Sequence, residues 1–218
     1  MSIAPEPISR PPVEHESRHV LRGVSWETYQ KLREDNPSGC LRMTYDRGVL
    51  EIMSPSRRHE KIAILIGRMI DEWTMLHDIE IEAGRNTTFS RADLEKGLEA
   101  DHCYWIANQA AVRGKDEIDL SIDPPPDLAL EVDITRSSIP KLPIYQALGV
   151  PEVWRWRSGL IEVLQLRGNK YVQQVPSDAL EGFPFALAES FLETYAHDGD
   201  TALIRRFRQT IAKLPKSS

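Results

Sequence analysis

Cysteine is scarce in this sequence. Only Cys40 and Cys103 occur among 218 residues, and they lie far apart in the chain. Disulfide-stapled domains and structural zinc sites need several cysteines at short, regular spacings. Both classes are therefore excluded, and the cysteine usage favours a protein of the reducing cytoplasm.

Long apolar segments are also missing. No run reaches the roughly eighteen apolar residues that cross a bilayer, so we expect no membrane partner. The N-terminus holds four prolines within its first twenty residues and lacks the apolar core of a signal peptide. We interpret residues 1–22 as a flexible arm and expect the protein not to be secreted.

The chain has no excess of positive charge. Its formal net charge is −6, whereas proteins that simply coat nucleic acid are usually basic. This balance does not exclude an enzyme that holds a divalent metal in an acidic cleft, because the ion reverses the local charge.

Helical and strand patterns fill the rest of the chain. Apolar residues recur at spacings of three and four over residues 62–73, which predicts a long helix capped by Ser54 or Ser56. With several alternating segments, this predicts one α/β (mixed α+β) domain over residues 23–196, a mixed sheet flanked by helices. A basic helical tail follows over residues 197–218.

Acidic residues interrupt two otherwise apolar strand patterns. Because strand side chains alternate between faces, Glu131 and Asp133 share a face opposite the leucines of Leu128–Ile134. If the strand containing Asp101 is a neighbour, Asp101 and Glu131 can converge. Mg²⁺ and Mn²⁺ prefer such carboxylate oxygens, and Asp133 could be a third metal ligand.

Lys141 lies ten positions after Glu131, near the start of the next predicted helix. Its ammonium group could stabilise developing phosphoryl charge or orient an attacking water. The alternative is that the acids are solvated groups of an edge strand. His59 could likewise cap its helix or contact substrate, and we expect Glu51 at the surface.

Three segments resemble the Uma-two (Uma2) family of the PD-(D/E)XK nuclease superfamily. They are GVLEIMSPSRRHEKI, the strand containing Asp101, and PPPDLALEVDITRSSIPKLPIYQALGVPEVWRW, within about Val24 to Val175. The resemblance implies a restriction-endonuclease-like core and metal-dependent phosphodiester cleavage. It assigns the motif acids to Asp101 and Glu131, the lysine to Lys141, and a histidine often seen in the family to His59.

The leading hypothesis is therefore an endonuclease that uses Mg²⁺ or Mn²⁺ to hydrolyse DNA. A homodimer fits this hypothesis, because cutting two strands often needs two sites. The alternative is a degraded nuclease fold that serves as a binding or oligomerisation module. It is motivated by Ala100 in place of the motif's proline and by Asp133 in place of its lysine.

Overall fold

The computed structural model describes residues 16–36, 40–85 and 87–214. Most of the predicted N-terminal arm lies outside these ranges. The strands in them are β1 (Ser17–Arg22), β2 (Arg42–Asp46), β3 (Val49–Ser54), β4 (Glu82–Arg85), β5 (Thr88–Arg91), β6 (Lys96–Glu99), β7 (His102–Trp105), β8 (Leu128–Asp133), β9 (Glu152–Arg157), β10 (Leu160–Arg167) and β11 (Lys170–Gln173). The helices are α1 (Trp26–Glu34), α2 (Arg57–Leu76), α3 (Gln109–Val112), α4 (Leu142–Leu148), α5 (Phe185–Glu193) and α6 (Asp200–Ile211).

The strands form two sheets, where the sequence predicts one. The first sheet has the order β1-β3-β2-β6-β5, and all its neighbours are antiparallel. The second sheet has the order β11-β10-β9-β8-β7-β4. It is mixed, because β8 and β9 run parallel while the other pairs run antiparallel. The predicted mixed α+β class is confirmed.

The chain passes from the first sheet to the second at Ala100 and Asp101. The pattern over residues 99–105 predicts one continuous strand, but β6 ends at Glu99 and β7 begins at His102. Neither glycine nor proline marks this break. Asp101 consequently lies at the point where the two sheets meet.

Helix α2 covers one face of the second sheet. Its N-cap is Ser56, whose hydroxyl oxygen accepts a hydrogen bond from the His59 backbone N–H at 3.1 Å. The apolar stripe of α2 packs against the leucines of β8 and the apolar faces of α5 and α6. Since α6 belongs to this core, most of the predicted basic tail is packed on the domain.

Helix α4 covers the opposite face of the second sheet. Ile144, Tyr145 and Leu148 pack there against Ala129 and Val153. The alternation predicted for β8 is thus observed, with its leucines towards α2 and Ala129 towards α4. No helix in the described part of the chain is both long enough and apolar enough to cross a membrane.

The end of the predicted arm is a strand rather than a loose segment. Residues 17–22 form β1 along the edge of β3. Arg18 Nη1 donates a hydrogen bond to Glu51 Oε1 at 2.7 Å. Glu51 is only 1% exposed, whereas the sequence interpretation places it at the surface. The SRHVLR sequence has no clear apolar alternation, and β1 is placed by its ladder with β3 together with this ion pair.

Replacing Arg18 with methionine should lower the free energy of unfolding by about 2–3 kcal/mol, because a buried carboxylate would lose its cation. Arg22→Met, at an exposed position of the same strand, should change it by less than about 0.5 kcal/mol. Urea denaturation of both variants measures the difference. Equal effects would mean that the Arg18–Glu51 pair does not anchor β1.

Candidate active site

Asp101 and Glu131 lie side by side where the two sheets meet. In the β7–β8 ladder, His102 pairs with Leu130, and the same antiparallel register one residue further brings Asp101 level with Glu131. The Val132 backbone N–H donates a hydrogen bond to Asp101 Oδ2 at 2.8 Å, which fixes the carboxylate against β8. Both side chains belong to residues only 3% exposed, and the structure therefore brings the two predicted acids together.

Glu131 is held by two donors from the α4 region. Lys141, at the N-cap position of α4, places Nζ 2.5 Å from Glu131 Oε2. The Tyr145 hydroxyl donates to Glu131 Oε1 from one helical turn further along. Burial raises the pKa of Glu131, partly offset by Lys141, while Glu131 raises the pKa of Lys141 despite its burial. Lys141 therefore stays an ammonium ion at neutral pH.

His59 and Arg42 flank Asp101 from the other side. His59 Nε2 lies 3.3 Å from Asp101 Oδ2, and Arg42 Nε lies 3.7 Å from Asp101 Oδ1. Burial alone would raise the pKa of Asp101, but His59 holds it well below its usual range. Burial would lower the pKa of His59, yet Asp101, Glu60 and Glu16 raise it to about 10. His59 is therefore an imidazolium at neutral pH.

Two residues of the site, Arg42 and Glu16, are not predicted from the sequence. Arg42 also lies 3.1 Å from Glu60 Oε1, and Glu16 Oε1 lies 3.8 Å from His59 Nε2. Glu16 reaches the site because Thr135 N–H donates to its Oε2 at 3.0 Å. An arginine within the otherwise mostly buried strand β2 could have indicated that Arg42 has a buried anionic partner. No local sequence feature indicates that Glu16 lies beside His59.

Glu99 is a further buried acid near this point. Burial raises the pKa of Glu99 to about 7, although Arg42, Arg33 and Lys141 favour its charged form. Among the described residues its Oε2 has no hydrogen-bond partner, and the same is true of Arg42 Nε and Nη1. Because buried polar groups are normally hydrogen-bonded, these atoms call for a further partner such as water, an ion or a ligand.

Asp133 is placed differently from the other two predicted metal ligands. Its Oδ2 accepts a hydrogen bond from Arg157 Nη2 at 2.6 Å across the parallel β8–β9 pair. Within the described ranges, no group of three or more His, Cys, Asp or Glu side chains has an arrangement that could hold a metal ion. The structure therefore does not bring Asp133 into a three-acid cluster with Asp101 and Glu131.

The Asp101–Glu131 pair has the donor chemistry that Mg²⁺ uses. This ion is commonly held by one or two carboxylates together with water and substrate phosphate oxygens, so a three-residue cage is not required. Each carboxylate oxygen has two lone pairs, and the donors from Val132, Lys141 and Tyr145 leave accepting capacity on both groups. The residues present thus fit the metal.

A cleft of about 530 Å³ opens beside Glu131 and Lys141. It lies at the carboxyl ends of the parallel strands β8 and β9, where open mixed sheets usually bind ligands. Its charged lining comprises Glu131, Asp133, Arg136, Lys141, Arg155 and Arg157. Four cations against two acids make this cleft suitable for an anion, although the whole chain is acidic.

Comparison with known proteins identifies the family. The family model Uma2, described as "Putative restriction endonuclease", matches residues 26–192. No curated protein matches the sequence. The fold is similar to the crystal structure of "a putative nuclease belonging to DUF820" from Anabaena variabilis ATCC 29413, with a TM-score of 0.52 and 14% identity. That match covers 84% of this chain and 99% of the other. The chain belongs to the Uma2 family of restriction-endonuclease-like proteins.

Proposed function

We propose that this protein is a metal-dependent endonuclease that hydrolyses DNA phosphodiester bonds. The observation that carries the proposal is the meeting of Asp101, Glu131 and Lys141 at one buried point that borders a cation-lined cleft. Membership of the Uma2 family supports a nucleic acid as the substrate. A homodimer would allow two such sites to cut the two strands of a duplex.

Asp101 and Glu131 would hold Mg²⁺ or Mn²⁺ between them. When bound, the ion supplies Lewis acidity towards a phosphoryl oxygen. The two carboxylates are already fixed by the Val132 N–H and by Tyr145, so little reorganisation is needed at the moment of reaction.

Lys141 would turn from Glu131 towards the substrate. Its side chain is only 13% exposed and borders the cleft, so the charge of its ammonium is weakly screened by water. There it would donate a hydrogen bond to a non-bridging phosphoryl oxygen as negative charge develops, or orient the attacking water.

His59 would act through Asp101. It is 2% exposed and lies between Asp101 and Glu16, so its imidazolium neutralises the acidic centre and fixes the Asp101 carboxylate. A buried anion without such a cation would become protonated and lose its capacity to bind metal.

Incubating supercoiled plasmid with Mg²⁺ or Mn²⁺ tests the proposal. The wild-type protein should nick or linearise it, and Glu131→Gln should reduce the rate by at least about a thousandfold, because a metal ligand is lost. Glu181→Gln removes an exposed carboxylate and is the matched control, with an expected change below twofold. If the wild-type protein does not cleave the plasmid with any of the divalent metals tested, the result favours the degraded fold that only binds.

A further inference from the structure

The α4-facing side of β8 and β9 changes from apolar to charged towards its carboxyl end. Along β8 this side carries Ala129, Glu131 and Asp133, and along β9 it carries Val153, Arg155 and Arg157. The parallel register pairs Glu131 with Arg155 and Asp133 with Arg157. Each arginine of β9 therefore stands directly beside an acid of β8.

The two arginines of β9 have different partners. Arg155 Nη2 lies 2.6 Å from Glu162 on the neighbouring antiparallel strand, while Arg157 pairs with Asp133. The two arginine side chains are 22% and 39% exposed and line the cleft, while their partners Glu162 and Asp133 are 25% and 12% exposed. Ion pairs open to water contribute little to stability, so a phosphate can compete for a guanidinium group on the solvent side of each pair. The ion pairs therefore orient the guanidinium groups and leave them able to bind another anion.

A third arginine completes the cation-lined side of the cleft. Arg136, in the segment between β8 and α4, is exposed and makes no hydrogen bond or ion pair with any residue that the structure describes. Guanidinium groups bind phosphate oxygens through paired N–H donors, which makes arginine well suited to a phosphodiester backbone. The spacing along β9, two residues or about 6.6 Å, is close to the separation of successive phosphates in a nucleic acid strand.

We infer that Arg136, Arg155 and Arg157 form a phosphate-binding strip for the backbone of the nucleic acid substrate, and that Asp133 occupies the place of a phosphate against Arg157 until the substrate binds. This inference rests on the proposed function and names how its substrate is held. It gives Asp133 a role in substrate exchange, where the sequence predicts a metal ligand.

The strip is tested by binding without catalysis. The full-length protein is titrated in EDTA against a fluorescein-labelled 20-base-pair DNA duplex, and fluorescence anisotropy gives the affinity at several salt concentrations. Arg157→Gln should weaken binding about tenfold and reduce the salt dependence by about one released counterion. Arg136→Gln and Arg155→Gln should act in the same direction. A single-stranded DNA and an RNA duplex of equal length show which backbone the strip prefers.

Asp133→Asn should have the opposite effect. It frees Arg157 and removes an anion from the cleft, so DNA affinity should rise about fivefold. In the Arg157→Gln background the same change should raise affinity by at most about twofold, because the pair that it releases is already absent. Equal tightening in both backgrounds would overturn the exchange role of Asp133.

The Arg206–Asp198 ion pair at α6 provides the matched control, since α6 belongs to the core on the other face of the sheet. Arg206→Gln should change DNA affinity by less than twofold. If it weakens binding as much as Arg157→Gln, binding is a general charge effect and the strip is overturned. The strip is also overturned if wild-type protein does not bind DNA at low salt.

Three further outcomes separate this inference from the nuclease proposal. If Asp133→Asn leaves DNA affinity unchanged in EDTA but weakens Mn²⁺ binding, Asp133 is a metal ligand and the inference fails. If the arginine variants behave as expected while no metal supports plasmid cleavage, the strip stands and the nuclease proposal fails. If Glu131→Gln abolishes cleavage while Arg157→Gln binds DNA like the wild type, the reverse holds.

Discussion

Lys141→Met should lower the rate of metal-dependent DNA cleavage by about a hundred- to a thousandfold. The substitution keeps the aliphatic volume but removes the ammonium that lies 2.5 Å from Glu131 and borders the cleft. Loss of one fixed donor aimed at developing phosphoryl charge has an effect of about this size in other enzymes. The measurement is the single-turnover rate on a labelled duplex at saturating Mn²⁺.

Lys141→Met has two controls. Lys170→Met removes an exposed lysine of β11 and should leave the cleavage rate within twofold of wild type. Mn²⁺ affinity is measured in the same variant and the cleavage rates are compared at saturating Mn²⁺, because loss of the ammonium also favours the protonated form of the buried Glu131. A folded Lys141→Met protein that cleaves within tenfold of the wild-type rate would remove Lys141 from the chemistry.

His59 should give the protein a stability that depends on pH. Burial disfavours its imidazolium, but Asp101, Glu60 and Glu16 surround it and raise the pKa of His59 to about 10, against an ordinary value of about 6.5. A raised pKa means that the folded state holds the proton more tightly than the unfolded chain. The contribution is therefore fully present below about pH 6.5 and is lost as pH rises through about 10.

Comparison with His59→Gln isolates this contribution. In metal-free buffer at pH 6, the wild type should be more stable by roughly 2–4 kcal/mol, and the gap should shrink towards zero near pH 10.5. Urea denaturation at the two pH values measures it, because the other titrating groups are common to both proteins apart from Asp101, whose pKa His59 lowers. The same gap at both values would show that His59 does not carry a proton held by the acids around it.

Helices and strands with a clear apolar periodicity or a capping residue were predictable from the sequence alone. The apolar spacing of α2 and the capping serine give that helix, and strict alternation gives the two faces of β8. Helix α4 ends at its C-cap residue Gly149, which has a left-handed backbone with φ of 79°. Glycine adopts this conformation readily, so a glycine after an apolar helical segment is a common helix end. Each of these features depends on residues that are close together in the sequence.

What the sequence did not reveal depends on distant partners. The break after Glu99 arises because the chain crosses between sheets, and no residue there requires a turn. Strand β1 and the burial of Glu51 follow from a pair 33 positions apart, and Glu16 meets Thr135 across 119 positions. Contacts between such distant residues cannot be predicted from the apolar periodicity of a single strand or helix.

The candidate site shows the same division. The alternation of β8 placed Glu131 on the face that meets α4, and the spacing to Lys141 allowed their contact. The ion pair of Asp133 with Arg157 depends on the parallel register of β8 and β9, which the sequence does not state. Arg42 enters from another sheet altogether, so its place beside Asp101 required the tertiary structure.

A Mn²⁺ titration followed by electron paramagnetic resonance, which measures the concentration of free ion, tests whether Asp101 and Glu131 hold one metal ion together. We expect one bound ion per chain, with affinity at least about tenfold weaker in Asp101→Asn and in Glu131→Gln and unchanged in Glu181→Gln. Wild-type affinity in either site variant would contradict the claim that these two carboxylates share one metal ion.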